Sequence, residues 1–416
     1  MRILLVSETY PPSVNGAAYF TQRLGQALQR RGNEVFVMTP SDSFHSVTST
    51  DSAGVTVFRL RSIPILVYPL RITPAFLSGR LVRRITGILA PDIIHIQNHL
   101  FLGRSAFAAA RAQGIPVIGT NHFIPETLTV HCPLPTLVSP WLTGLLWKHF
   151  ASLYDQLDLV TAPTRTAAEL SRAAGLRRPV LTISNGIELE RFKPDNDGRY
   201  LRDRYCIPDR PVLLFVGRLD PEKRVDVILR ALPLILRQCD VHVVLAGTGT
   251  LRAKLERLAR KLGVASHVTF TGFVPDEDLP SLYRIASVFV MAGNAELQSI
   301  ATMEAMASGL PIVAVDAQAL PELVHHGENG LLCPEDRCDR LAVGAASLLR
   351  DEQLRRRFAE RSLQLIQAHD LGHVAMQFEC LYERVLSWRA ADQEVARREE
   401  FSYQIQERSL AATRLG

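Results

Sequence analysis

The chain has 416 residues, with 47 Lys or Arg against 42 Asp or Glu, so its formal net charge is +5 at pH 7. Hydrophobic residues make up 47% and charged residues 21% of the sequence, which excludes a disordered or low-complexity protein. This length predicts two domains, and the mild positive charge suits an anionic substrate or membrane surface without requiring nucleic acid.

The six cysteines are scattered, and no two have the CxxC spacing of a zinc ribbon or a thioredoxin-type site. Scattered thiols in a chain of this size are typical of a reducing compartment, so we expect a cytoplasmic protein. The first apolar run, Ile3–Val6, is too short for a signal peptide and predicts a buried strand.

Short apolar runs alternate with amphipathic stretches along the first half of the chain. After Ile3–Val6, the pattern predicts a helix over Ala17–Arg31 and a strand over Val35–Met38. The later strand candidates of this half are Ile93–Ile96, Val117–Gly119 and Leu159–Ala162. Strands that are apolar throughout and separated by helices indicate a parallel sheet covered on both faces.

Residues 190–210 are polar and turn-rich, and we interpret them as a domain boundary. Beyond them, helices are predicted over Leu251–Leu262 and Ser299–Ser308. The strand candidates of this second half are Val212–Val216, Val241–Ala246, Val268–Thr271, Val288–Met291 and Ile312–Val315. The sequence predicts two doubly wound α/β domains, at residues 1–195 and 196–375, followed by a C-terminal helix and tail at 376–416.

The motif GRLDPEK, at residues 217–223, directly follows a predicted strand. Ligands of doubly wound sheets bind beyond the carboxyl ends of the strands, so Arg218 and Lys223 lie where an anion would bind. Two cations can stabilise a diphosphate as its bond breaks. In the glycine turn of residues 246–250, Gly247 allows the backbone to approach a nucleotide. A solvated loop with an ion pair and a plain tight turn are the alternatives.

Two acidic residues flank the start of the helix predicted at Ser299–Ser308. Glu296 and Glu304 are a little over two helical turns apart, so both can face one ligand, one binding sugar hydroxyls and the other a ribose. The backbone N–H groups of Ser299 and Ile300 can bind a phosphate at the helix start. In the alternative interpretation, Glu296 caps the helix and Glu304 forms a surface ion pair.

In combination and in order, these motifs resemble the retaining glycosyltransferases of family 4. GRLDPEK, the GTG turn, TGFVP at residues 271–275, and Glu-x7-Glu followed by EAMASGLPIVA carry the resemblance in the second half. MRILLVSETYPPSVNGAA, PDIIHIQNH, GTNHF and SNGIELERFKP carry it in the first half. The resemblance extends from Met1 to about Pro334. It implies the GT-B fold, in which two Rossmann-like domains face each other and the second binds most of a nucleotide-sugar.

The resemblance also implies roles for the second-domain residues. Arg218 and Lys223 would clamp the donor diphosphate, Glu304 would bind the ribose, and Glu296 would hold hydroxyls of the transferred sugar. Because no metal-binding cluster is visible in the sequence and the two cations can do a metal's electrostatic work, we expect transfer without a metal or cofactor.

In the first domain, the resemblance places the backbone N–H of Gly16 near the phosphates and His122 beside the reacting sugar and acceptor hydroxyl. The alternatives are a simple turn at Gly16 and a buried structural histidine at position 122. His95 lies mid-strand, which favours a structural role, whereas Asn98 and His99 follow that strand and are candidates to face the cleft.

The chain departs from the family pattern at two places. Asn15-Gly16 stands where the family often has two glycines, and Gln298-Ser299-Ile300 stands where it often has Phe-Gly-Leu. These changes leave the backbone N–H groups in place but put the identity of the sugar in doubt. The Gln-Ser variant resembles the glycolipid-making branch and favours a lipid acceptor.

Two segments favour contact with an anionic membrane surface. Arg61–Arg84 carries five arginines and no acid among apolar residues, and Trp141–Phe150 combines aromatic residues and leucines with Lys148. Thr127–Trp147 has no charge, but its prolines argue against a membrane span. The alternative is that the leucines are core residues and the arginines a solvated face.

The function predicted from these features is retaining transfer of a hexose from UDP-glucose or UDP-galactose to a lipid such as diacylglycerol, at the inner face of the cell membrane. One alternative is a GDP-mannose-dependent enzyme or one acting on a soluble or polyisoprenoid-linked acceptor. A nucleotide-sugar epimerase and a non-catalytic nucleotide-sugar-binding protein are the others.

Overall fold

The computed structural model describes residues 1–64, 71–125 and 138–391, and its first half forms an eight-stranded sheet. The strands of this half are β1 (Arg2–Val6), β2 (Glu34–Pro40), β3 (Val47–Thr50), β4 (Thr56–Leu60), β5 (Ile63–Pro64), β6 (Arg71–Ile72), β7 (Ile93–Ile96), β8 (Val117–Thr120), β9 (Leu159–Ala162) and β10 (Val180–Thr182). The sheet order is β10-β9-β8-β7-β1-β2-β4-β3, and β5 and β6 pair separately. All pairings in the large sheet are parallel except that of β3 with β4.

Helices cover both faces of this sheet. They are α1 (Gly16–Arg30), α2 (Ala75–Leu89), α3 (Phe101–Gln113), α4 (Val138–Tyr154) and α5 (Arg165–Ala173). Successive side chains of β1 point to opposite faces of the sheet. Leu4 and Val6 pack in the core beneath α2 to α5, whereas Ile3 and Leu5 pack in the core beneath α1.

The second half forms a six-stranded sheet in which all pairings are parallel. Its strands are β11 (Val212–Val216), β12 (His242–Ala246), β13 (Val268–Gly272), β14 (Val288–Met291), β15 (Ile312–Val315) and β16 (Gly330–Cys333), in the order β13-β12-β11-β14-β15-β16. Its helices are α6 (Arg199–Arg204), α7 (Val225–Leu236), α8 (Arg252–Lys261), α9 (Leu279–Arg284), α10 (Ile300–Ala307), α11 (Cys338–Arg350) and α12 (Glu352–Ile366).

The last described helix, α13 (residues 371–391), returns to the first domain. Phe378 and Tyr382 are fully buried in the core that also contains Ile3, Leu5 and Phe20. The C-terminal helix therefore covers a face of the first sheet, although it follows the second domain in sequence. Nothing in its local sequence pattern indicated which domain it would join.

The prediction of two doubly wound parallel-sheet domains is confirmed. The predicted strands all form, whereas β3, β4, β5, β6, β10 and β16 were missed because they are short or lack a long apolar run. The predicted boundary at 195/196 lies between β10 and β11, and α13 begins five residues before the predicted limit of 376. No helix in the described ranges has the length and apolar character needed to cross a bilayer. Of Thr127–Trp147, only residues 138–147 are described.

His95 links α13 to the first sheet through a buried polar chain. Its Nδ1 lies 2.8 Å from the Tyr382 hydroxyl, and its Nε2 lies 2.6 Å from the Thr120 hydroxyl. Burial, with a smaller contribution from nearby His122, lowers the pKa of His95 to about 3. This position agrees with the structural role expected for a mid-strand histidine.

We expect the His95→Gln variant to weaken the pH dependence of unfolding. An unfolded histidine binds a proton near pH 6.5, but folded His95 does so only near pH 3. This contribution to stability is therefore complete above pH 6.5 and is lost as the pH falls from 6.5 toward 3. In urea denaturation between pH 6 and 4, the slope of unfolding free energy against pH should fall by about 1.4 kcal/mol per pH unit. Exposed His373→Gln is the control, and an unchanged slope for His95→Gln would contradict the burial argument.

Candidate active site

Two adjoining cavities lie where the carboxyl ends of the two sheets face each other. The larger has a volume of about 680 Å³ and lies against loops of the first domain. The smaller, of about 210 Å³, extends from the first turns of α1 to the ends of β11 and β12. The predicted site residues that line both cavities are Gly16, Arg218, Lys223 and Glu296. Those that line only the smaller cavity are Gly247, Ser299, Ile300 and Glu304, and those that line only the larger are Asn98 and His122.

The loop after β11 presents both predicted cations to the cavities. Arg218 contacts Asp220, with Nη1 to Oδ2 at 2.9 Å, and also pairs with Glu222. The Nζ of Lys223 lies 2.5 Å from the Oε1 of Glu296. Protein carboxylates therefore neutralise these cations, and an incoming diphosphate would compete with them for the same donors. Such exchange binds an anion without leaving a bare charge in the protein interior.

The glycine turn after β12 packs directly against the loop that carries Arg218. Gly247 has a φ of +140°, and a Cβ at this position would lie 1.9 Å from the carbonyl oxygen of Gly217. The N–H and hydroxyl of Thr250 both donate to Asp220 Oδ1, each at 2.8 Å. The turn therefore orients the carboxylate that in turn contacts Arg218.

The loop before α10 is held by both domains. The Thr164 hydroxyl donates to the Leu297 carbonyl at 2.7 Å, and the backbone N–H of Asn185 donates to Gln298 Oε1 at 2.7 Å. Leu297 also packs into the core of the first domain. Glu296 is thus fixed by neighbours that are anchored on the opposite side of the cleft. A Phe at position 298 could not accept from the N–H of Asn185, so the departure from the family pattern has a structural use here.

Two helix N-termini converge on the smaller cavity, one from each domain. Asn15 caps α1 by accepting from the N–H of Ala18 at 2.9 Å, and Ser299 caps α10 by accepting from Thr302. A Cβ on Gly16 would lie 3.6 Å from Ile300 Cδ1, so the two helix starts are in near contact. The unpaired N–H groups and the dipoles of both helices favour an anion between them.

Glu304 is buried rather than being part of a surface ion pair. Its Oε1 lies 3.0 Å from Arg23 Nη2 of the first domain, and its Oε2 accepts from the Tyr283 hydroxyl at 2.9 Å. Burial raises the pKa of Glu304, while Arg23 and the Tyr283 hydrogen bond oppose the increase. Sequence reasoning missed Arg23, because nothing near α1 indicates a partner 281 residues away.

His122 lies at the border of the larger cavity as a neutral imidazole. Burial lowers its pKa to about 3, and its ring packs on Phe20 with the ring centres 4.7 Å apart. His122 Nε2 lies 3.0 Å from Gln97 Oε1. With that oxygen as acceptor, the proton is on Nε2 and Nδ1 is left as an acceptor.

The two candidates that follow β7 differ in position. Asn98 lines the larger cavity, and its Oδ1 accepts from the N–H of Glu8 at 3.1 Å. His99 lines neither cavity, contrary to the expectation that it faces the cleft. It is buried against Phe123 and Phe150, and burial lowers its pKa to about 3. These aromatic rings enclose His99, which is only 1% exposed, in the core of the first domain.

Glu8 is a second residue that sequence reasoning missed. It lines the larger cavity, accepts from the N–H of Leu102 at 2.7 Å, and its burial raises its pKa to about 7. The preceding strand end placed it beside the cleft, but its burial depends on α3. Among the described residues, no group of three or more His, Cys, Asp or Glu side chains is arranged to hold a metal ion.

Two doubly wound domains that face each other across a cleft define the GT-B fold class. Residues 14–191 match the family model "Glycosyltransferase Family 4", and residues 201–364 match "Glycosyl transferases group 1". A mannosyltransferase of Mycobacterium tuberculosis is 30% identical over 365 residues, covering 84% of this chain and 89% of its own. The chain therefore belongs to the family 4 glycosyltransferases and is an enzyme of that family.

Two further similarities concern other donors and acceptors. The alpha-monoglucosyldiacylglycerol synthase of Streptococcus pneumoniae is 29% identical over 338 residues, covering 80% of this chain and 75% of its own. The Anabaena protein Alr3699/HepE, solved in complex with UDP-glucose, superposes with a TM-score of 0.73 at 20% identity, over 93% of this chain and all of that one. The similarity to Alr3699/HepE shows that the two proteins share a fold.

Proposed function

We propose that this enzyme transfers a hexose, with retention of anomeric configuration, from a nucleoside-diphosphate sugar to a hydroxyl group of a glycerolipid. The observation that carries the proposal is the convergence of Arg218, Lys223 and two helix N-termini on one cleft. These groups bind and stabilise a departing diphosphate. The larger cavity adjoins this point and leaves room for an acceptor.

In the proposed reaction, the bond between the anomeric carbon and the diphosphate oxygen breaks while Lys223 and Arg218 stabilise the developing negative charge. The acceptor hydroxyl attacks from the same face through an oxocarbenium-like transition state, and its proton passes to the leaving phosphate oxygen. Glu296 orients sugar hydroxyls. Neutral His122 accepts a hydrogen bond near the reacting centre without adding positive charge there. No step requires a metal, so we expect chelators to leave turnover unchanged.

The exposed surface of the first domain supports a lipid acceptor. Phe76, Phe101 and Trp141 are exposed, and they lie near the starts of α2, α3 and α4. Helix α3 follows β7, whereas α2 and α4 precede the parallel strands β7 and β9, so all three helices begin at the cleft edge. Aromatic side chains at this edge would contact the membrane beside the cleft.

Basic residues accompany these aromatic side chains. Arg80, Arg83 and Arg84 on α2, and Lys148 on α4, are exposed. Their positive charge favours an anionic lipid surface. Residues 65–70 of the predicted segment Arg61–Arg84 lie outside the described ranges.

The relatives support the acceptor class but differ in donor. One is named for phosphatidylinositol monomannoside and GDP-mannose, and the other for monoglucosyldiacylglycerol. A glycerolipid is common to both names. We propose a UDP-hexose as donor, and GDP-mannose is the second candidate because several similar proteins are named for it.

The test uses purified protein, labelled UDP-glucose or GDP-mannose, and phosphatidylglycerol vesicles that contain diacylglycerol. We expect label in the organic phase with one of the two donors, and unlabelled UDP or GDP should compete with its own donor. Binding of nucleotide without any labelled lipid would contradict the glycerolipid acceptor. Donor turnover without acceptor would instead support an epimerase, and absence of nucleotide binding would support a different function for the fold.

Replacing Trp141 by Ser should weaken binding to these vesicles about fivefold or more, because burying an indole at the interface contributes about 1–2 kcal/mol. Trp388→Ser is the matched control, since Trp388 is similarly exposed but lies on α13. Vesicle binding is measured by co-sedimentation. Sugar transfer is measured separately with an acceptor dispersed in detergent, so that this assay needs no membrane. Equal vesicle binding by both variants would contradict the membrane role of α4.

A further inference from the structure

Arg23 is a buried cation that the first domain contributes to the smaller cavity. Its side chain is only 4% exposed, and it lines this cavity together with Tyr19 and Asp276. Its guanidinium lies over the rings of Tyr19 and Phe192. Helix α1 places it there because Arg23 lies on the same face as Gly16 and Tyr19, two turns from the helix start.

Three carboxylates surround this guanidinium. Arg23 Nη2 lies 3.0 Å from Glu304 Oε1, its Nε lies 3.5 Å from Glu188 Oε2, and Nη2 lies 4.0 Å from Asp276 Oδ1. A buried arginine needs such partners to offset its lost hydration. These contacts account for one edge of the guanidinium and also hold Glu304 in place.

The other edge of the guanidinium makes no hydrogen bond within the described part of the chain. Among the described residues, Arg23 Nη1 is buried without a hydrogen-bond partner, and Asp276 Oδ1 is buried without a hydrogen bond, at 4.0 Å from Arg23 Nη2. Burying a hydrogen-bond donor without a partner costs free energy. A purely structural role for the ion pair would not explain why this donor is left unpaired. Within the described ranges, the cavity thus presents a donor and an acceptor that make no hydrogen bond, from opposite domains, beside Glu304.

We propose that Arg23 and Asp276 form part of the subsite for the donor's nucleoside, with Arg23 Nη1 donating to it and Asp276 Oδ1 accepting from it. This inference rests on the proposed function, since it assumes a nucleoside-diphosphate donor. Ribose hydroxyls and the carbonyl and N–H groups of a base offer both kinds of partner. Because the two residues belong to different domains, both contacts form only when the domains are closed on each other.

The test compares ligands with and without a nucleoside. Calorimetric titration of UDP, GDP and inorganic pyrophosphate would be done with the full chain and its Arg23→Met variant. We expect the Kd of the preferred nucleoside diphosphate to increase about 10- to 100-fold, because the variant loses a charge-assisted hydrogen bond. The Kd of pyrophosphate should change less than twofold. The Arg31→Met variant is the control, since Arg31 directly follows the same helix but is exposed and pairs with Glu379.

A second pair of variants keeps the proposal testable if Arg23→Met does not fold. Arg23→Lys keeps the positive charge but loses the planar guanidinium, which can donate hydrogen bonds along two edges. Asp276→Asn removes the negative charge of a half-buried side chain in a loop. Each should weaken nucleoside diphosphate binding about tenfold and spare pyrophosphate. Unchanged affinity in folded variants, or equal weakening of pyrophosphate, would overturn the subsite. If the unaltered enzyme binds no nucleoside diphosphate, the proposed function fails instead.

Discussion

Replacing Lys223 by Ala should lower kcat/KM about 10²- to 10³-fold while leaving the protein folded. Lys223 lines the cleft, and within the described ranges its Nζ forms an ion pair only with Glu296. The variant therefore removes a cation from the departing diphosphate without opening a cavity in the core. The measurement is labelled-sugar transfer, with thermal unfolding recorded on the same preparations. The free energy of unfolding should change by less than about 2 kcal/mol.

Two further variants define the role of the charge. Lys261→Ala removes an exposed lysine at the end of α8 and should transfer sugar at the unaltered rate. Lys223→Arg keeps the charge with a different shape and should recover part of the activity. Near-normal turnover by Lys223→Ala would contradict the role of this lysine in leaving-group departure.

Replacing Gly247 by Ala should destabilise the second domain by about 3 kcal/mol and abolish transfer. The φ of +140° is a conformation that residues with a Cβ rarely adopt, and the added Cβ would lie 1.9 Å from the Gly217 carbonyl oxygen. Relief of this clash must move the turn away from the loop that holds Arg218. Denaturant unfolding and nucleotide titration measure the two effects.

Gly263→Ala is the matched control for this prediction. Gly263 also has a positive φ, of +70°, but a Cβ there would meet no atom of the described residues within 4 Å. Its variant should lose only about 1 kcal/mol, the cost of the left-handed conformation, and should keep its activity. Equal losses in the two variants would show that conformation alone, and not the close packing of the two loops, explains the effect at Gly247.

These two predictions concern adjacent loops but separate properties. Lys223 acts through its charge, which the local sequence already places beyond a strand end. Gly247 acts through the close approach of two backbone loops that follow neighbouring strands, β11 and β12. Loss of the Lys223 charge should lower turnover while stability is preserved. The substitution at Gly247 should lower both turnover and stability.

The sequence by itself determined the alternation of strands and helices and the location of the chemistry-bearing loops. Val212–Val216 and Val288–Met291 form as predicted, because a strand covered on both faces is apolar along its whole length. Arg218 and Lys223 lie in the cleft because parallel strands bring their carboxyl ends to one edge. These features depend on residues close together in the chain, and a local pattern is enough to indicate them.

Only the tertiary structure decided which distant residues meet. The Arg23–Glu304 pair joins residues 281 positions apart, and Tyr382 of α13 contacts His95 across 287 positions. Burial makes His122 a neutral imidazole and encloses His99 in the core, although the sequence left open where each histidine would lie. Burial and charge pairing depend on how the domains pack together, and the local pattern of apolar residues in the sequence does not indicate that packing.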